Sequence, residues 1–65
     1  MIAMHTLRSL RGLKEMTQEE AAEAVGVSVD TWRNWEMRRT YPDVPKIKKI
    51  EEVFGISYND IIFLT

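Results

Sequence analysis

The sequence predicts an all-α fold, on three observations. Good N-capping residues recur: Thr17, Ser28, Asp43 and Ser57 each stand just ahead of a stretch with helical apolar spacing. Gly26 and Gly55 fall where two of those stretches must stop, and glycine readily reaches the left-handed conformation that a helix end often needs. The chain has 65 residues and no cysteine, so a thin core with local helical contacts suits it, with no disulfide or thiolate metal site. The expectation is one domain over residues 1–65, built from five helices.

The first helix is expected from about Met4 to Lys14, after a frayed start. Leu7, Leu10 and Leu13 form its inward stripe. Arg11 lies one position off that stripe, Gly12 lowers local stability, and Lys14-Glu15-Met16 reads as a loop. The second helix starts at Thr17, whose Thr-x-x-Glu spacing to Glu20 is a capping box. It runs from Gln18 to Val25 through alanine and glutamate, which are strong helix formers. Val27 is then an apolar plug, and Ser28 caps a third helix from Val29 to about Met37. Only Gly26 and Val27 lie between the end of one helix and the cap of the next, so the two helices must cross steeply, with the small Ala22 at the crossing. Trp32 and Trp35 are three apart and share the inward face. Val29, Asp30, Arg33 and Asn34 point the other way. Tyr41-Pro42-Asp43 breaks the chain, and Asp43 caps a fourth helix with Pro45 in its first turn. Val44, Ile47, Ile50 and Phe54 are its inward stripe, and Gly55 ends it. Ser57, with Asp60 three residues on, caps a short fifth helix. Tyr58, Ile61, Ile62, Phe63 and Leu64 hold more apolar surface than one small core covers, so part of it is expected to face a second copy.

The net charge is −1, but the charges are unevenly placed. Arg8, Arg11 and Lys14 face one acid, Glu15, before residue 18; Arg33, Arg38 and Arg39 outnumber Asp30 and Glu36 between Ser28 and Tyr41. The second helix and the last third of the chain carry the acidic excess. An ordinary solvated surface is the competing reading of this pattern. The run Ile61 to Leu64 is far shorter than the roughly 20 apolar residues of a membrane span. The first residues lack the apolar core of a signal peptide, so a cytoplasmic location is expected. His5 is the only histidine, and no nucleophile–base pair, paired carboxylates or glycine-rich phosphate loop appears. No enzyme activity, cofactor, metal or small-molecule substrate is expected.

The stretch Thr17 to Glu36 resembles the helix-turn-helix of the lambda-type repressor and Cro family of bacterial and phage regulators. The matching residues are Thr17, Gln18, Glu19, Glu20, Ala22, Gly26, Val27, Ser28, Thr31, Trp35 and Glu36. Leu7, Leu10 and Arg11 fit that family's first helix; Tyr41-Pro42, Ile47, Ile50, Phe54-Gly55-Ile56-Ser57, Asp60 and Ile61 fit its last two. The register runs through nearly the whole chain without a gap. The resemblance implies a lambda-repressor-like fold and a sequence-specific regulator of double-stranded DNA. It further implies a repressor that binds a palindromic operator as a homodimer.

By the same resemblance, base edges are read from Val29, Asp30, Arg33 and Asn34. Arg33 suits guanine, Asn34 adenine, and Val29 a thymine methyl group. Asp30 can accept from cytosine, favour the dipole of the first turn, or pair with Arg33. Phosphate contacts fall to Thr17 and Gln18, and to Arg38, Arg39 and Thr40; their plainer roles are a helix cap and a solvated loop. Gln18 is also expected to brace the start of the reading helix. Arg11 and Glu36 would form a buried ion pair, and Ile61, Ile62, Phe63 and Leu64 the dimer contact. Two departures stand out. Ala21 replaces a larger aliphatic and Trp32 an isoleucine or valine, which implies that the indole fills the space at Ala21. Arg38 replaces a glycine, so the turn either extends the third helix or holds Arg38 left-handed. The runner-up is an antitoxin or antirepressor-type module that holds a protein partner, favoured by the acidic balance and the apolar tail.

Overall fold

The computed structural model describes residues 5–61. Four α-helices follow one another: α1 Leu7–Leu13, α2 Gln18–Val25, α3 Val29–Glu36 and α4 Val44–Phe54. The expected fifth helix is a single 3-10 turn, Tyr58–Asp60. No strand occurs among the described residues. One isolated parallel bridge joins His5 to Ile61, with the His5 amide donating to the Asp60 carbonyl at 2.8 Å.

The N-caps follow the chemistry of the side chains. Thr17 accepts from the Glu20 amide at 3.1 Å while Glu20 accepts from the Thr17 amide at 2.8 Å. Ser28 caps α3 through the Thr31 amide, and Asp43 caps α4 through the Lys46 amide. The first helix starts later than expected, at Leu7 rather than near Met4. Thr6 is extended and accepts from the Ser9 amide while Ser9 accepts from Thr6, a reciprocal box that fixes the start.

All four α-helices close on a left-handed residue: Glu15, Gly26, Arg38 and Gly55. After α3 the Arg38 amide donates to the Trp35 carbonyl and the Arg39 amide to that of Asn34, the Schellman pattern of bonds. Arg38 therefore takes the left-handed alternative, at φ 61°. A side chain there costs roughly 1–2 kcal/mol, partly offset in glycine by its greater entropy loss. Arg38→Gly should then stabilise the fold by about 0.5–1 kcal/mol in thermal melts, whereas Arg38→Ala should not. Equal melting of both variants would reject strain at this position.

The core takes Leu7 and Leu10 from α1, Ala21, Ala22 and Val25 from α2, Trp32 and Trp35 from α3, Ile50 and Phe54 from α4, and Ile61. Ala21 and Trp32 are both fully buried. The indole ring stacks on Phe54 at 6.0 Å and lies tilted against Trp35 at 5.8 Å. Three apolar expectations are corrected. Leu13 is 69% exposed and Val44 is 64% exposed. Each stands at one end of a run spaced by threes, and every such step drifts about 60° around a helix of 3.6 residues per turn. Ile61, expected at a dimer contact, is 6% exposed and belongs to this core. The capped turn before it folds the chain back, and the His5 bridge holds it in place. Ile62, Phe63 and Leu64 lie outside the described residues.

Candidate nucleic-acid interface

α2 and α3 meet around Gly26, which is left-handed at φ 86°, with the Val27 amide closing back onto the Ala22 carbonyl at 2.9 Å. This turn leads into α3 with its two tryptophans inward. Asp30 and Arg33 stand exposed on the opposite side. Asn34 is half-buried, and its side chain forms no hydrogen bond within the described residues. Val29 is not free in the same way. It is half-buried and packs against the core, so only part of it faces outward.

One carboxylate holds three helices together. Arg11 Nε donates to Glu36 Oε2 at 2.7 Å, and Arg11 Nη2 donates to Oε1 at 3.3 Å. Arg11 Nη1 also donates to the Met16 carbonyl at 3.1 Å. The two side chains are 19% and 5% exposed. Gln18 Nε2 donates to Glu36 Oε1 at 3.3 Å, and the Trp32 indole N–H donates to Oε2. Burial pushes the Glu36 carboxyl up, but the bonds from Arg11, Trp32 and Gln18 and the Arg11 charge outweigh it. Its pKa is lowered below the ordinary glutamate value. The indole bond was not foreseen, although Trp32 and Glu36 lie four apart on one helix, a spacing that brings side chains together.

Gln18 then ties this cluster to the outward face. Its Oε1 accepts from Arg33 Nε at 3.0 Å. The glutamine therefore braces α3 at Arg33 and Glu36, its middle and end, rather than at its start. Glu19 Oε1 lies 3.4 Å from Arg33 Nη2, and Asp30 Oδ1 lies 3.6 Å from Nη1. The contact with Glu19 is a second feature that helix-by-helix reading of the sequence missed. Exposed pairs of this kind contribute about 0–1 kcal/mol each, so Arg33 can exchange them for another acceptor at little cost. The Asp30 contact realises the pairing with Arg33, and the residue also sits in the first turn of α3.

The remaining polar candidates border this face. Thr17 spends one hydroxyl lone pair on its cap and keeps its proton to donate. Arg38, Arg39 and Thr40 are exposed in the loop after α3, and neither arginine forms an ion pair within the described residues. No group of three or more potential metal ligands occurs among the described residues. No helix there is long and apolar enough to cross a membrane.

A family model described as helix-turn-helix matches residues 7–61. Over 56 residues the chain is 32% identical to the HTH-type transcriptional activator BcrR of Enterococcus faecalis. That alignment covers 86% of this chain and 28% of the activator, so the chain spans less than a third of the relative's length. With the short Gly26 turn between α2 and α3, the buried tryptophans and the outward Asp30–Arg33 face in place, the chain belongs to the Cro/C1-type helix-turn-helix family of DNA-binding transcriptional regulators.

Proposed function

We propose that this chain recognises a specific double-stranded DNA sequence by laying α3 in the major groove. The observation that carries the proposal is the division of α3. Trp32 and Trp35 anchor it, while Arg33 and Asp30 remain exposed and the Asn34 amide is unspent. Arg33 reads guanine and Asn34 adenine, each in a two-bond geometry. Asp30 accepts from cytosine or releases Arg33 to its base, and the outward part of Val29 meets a thymine methyl group. Thr17, Gln18, Arg38, Arg39 and Thr40 grip the backbone on either side. Two copies bind a palindrome, since a two-fold dimer matches two-fold DNA. The sign of regulation is not a property of this surface. The relative is an activator by name, a repressor is the expectation from the resemblance, and the same DNA contacts serve either according to where the site lies.

Selection of bound duplexes from a random pool at low salt tests the proposal. A palindromic motif with half-sites about 10 bp apart supports the dimeric reading. A lone half-site removes the dimer, and a flat pool removes sequence recognition and promotes the protein-partner alternative. Arg33→Ala should weaken the selected site by about 1–3 kcal/mol and erase preference at one base pair. Equal weakening of all sequences would reassign Arg33 to phosphate.

A further inference from the structure

We infer that Arg8 is a further DNA backbone contact, standing between the two groups of phosphate-binding residues proposed above; the inference rests on that reading. Two shallow grooves meet at this residue. One is lined by Arg8, Arg11, Thr17, Gln18 and Glu19, the other by Arg8, Leu7, Trp35 and Arg38, and both share Glu36 and Met37. The first groove opens beside the reading face, because its Gln18 and Glu19 are the residues that touch Arg33, at 3.0 and 3.4 Å. The second leads to the loop that carries Arg38.

Of the charged side chains that line these grooves, Arg8 and Arg38 form no ion pair within the described residues, and Arg38 is already among the proposed phosphate contacts. Glu36 is shielded and satisfied by Arg11, Gln18 and Trp32. Glu19 is occupied by Arg33. Arg11 is spent on Glu36 and the Met16 carbonyl. Arg8 is exposed and forms no ion pair within the described residues, so its guanidinium is an uncompensated cation on the wall of both grooves. A phosphodiester crossing from Gln18 toward Arg38 would pass it. A planar guanidinium suits a phosphate in two-bond geometry.

Arg8→Gln keeps a long polar side chain and removes the charge. On the duplex selected from the random pool and on an unrelated duplex, it should lower affinity by the same factor. The slope of log affinity against log salt should become shallower by about 0.9, the release of one phosphate's counterion. Arg8→Glu should lower affinity further on both duplexes, while both variants melt at the wild-type temperature. Unchanged affinity and salt slope in Arg8→Gln would overturn the inference while the wild type's sequence preference stood. Loss of preference at a single base pair would overturn it as well, by making Arg8 a base reader. If the wild type bound neither duplex, this inference and the proposed function would fall together.

Discussion

Glu36→Ala is expected to cost about 3–5 kcal/mol of folding stability, because it strands a half-buried arginine and leaves two other donors without an acceptor. Arg11, Gln18 and Trp32 all donate to this carboxylate, from three different helices. A chain of this size has roughly 3–10 kcal/mol in total at the usual stability per residue. The variant should therefore be largely unfolded at 37 °C, or show a strongly lowered urea midpoint by circular dichroism. A cost below about 1 kcal/mol would mean that the cluster is effectively solvated. The same carboxylate sets a pH dependence. Its folded pKa lies below the ordinary value of 4.5, so between the two values the unfolded chain binds the proton and the folded chain does not. The stability it contributes is complete above the unfolded value and is lost as pH falls through the folded one. Urea midpoints of wild type and Glu36→Gln taken below pH 5 should converge as pH falls; parallel curves would remove Glu36 as the titrating group.

Trp32→Ala should cost at least as much, about 3–5 kcal/mol from the cavity alone. The indole is fully buried, stacked on Phe54 and tilted against Trp35. Its loss also deprives Glu36 of a donor. Trp32→Phe separates the two roles: most of the ring contact remains and the N–H is gone. A hydrogen bond to a charged group contributes about 1.5–3 kcal/mol, so the phenylalanine variant should fall between wild type and alanine in urea unfolding. A neutral phenylalanine variant would leave packing as the whole role of Trp32. One as damaging as alanine would leave the N–H as the whole role.

Local chemistry was legible in the sequence where one residue decides one event. Thr17, Ser28 and Asp43 cap helices because their oxygens can satisfy nearby amides, whatever packs around them. Gly26 and Gly55 are left-handed for an equally local reason. Arg11 and Glu36 could be named together only because the chain resembles a family in register, since 25 positions separate them. Contacts that depend on the three-dimensional arrangement were out of reach. Ile61 looks like surplus surface until the turn at Tyr58–Asp60 folds it into the core, and Leu13 and Val44 look inward only if helical drift is ignored. The resemblance has Gln18 bracing the start of α3. Its bonds to both Glu36 and Arg33 required knowing that α2 begins against the second half of α3.

The division of α3 bears on how such a chain can be retargeted. The exposed Asp30 can be exchanged for other polar residues without disturbing the anchor, at a stability change that usually stays within about 0.5 kcal/mol for surface positions. Position 33 is different, because the oxygens of Gln18 and Glu19 accept from the arginine that stands there. New preferences that change position 33 should arrive with matching changes at 18 or 19. Position 29 should accept only residues that still cover the core beneath it. Under the proposed reading, the vocabulary of sites open to this scaffold is thus set as much by the beginning of α2 as by α3 itself.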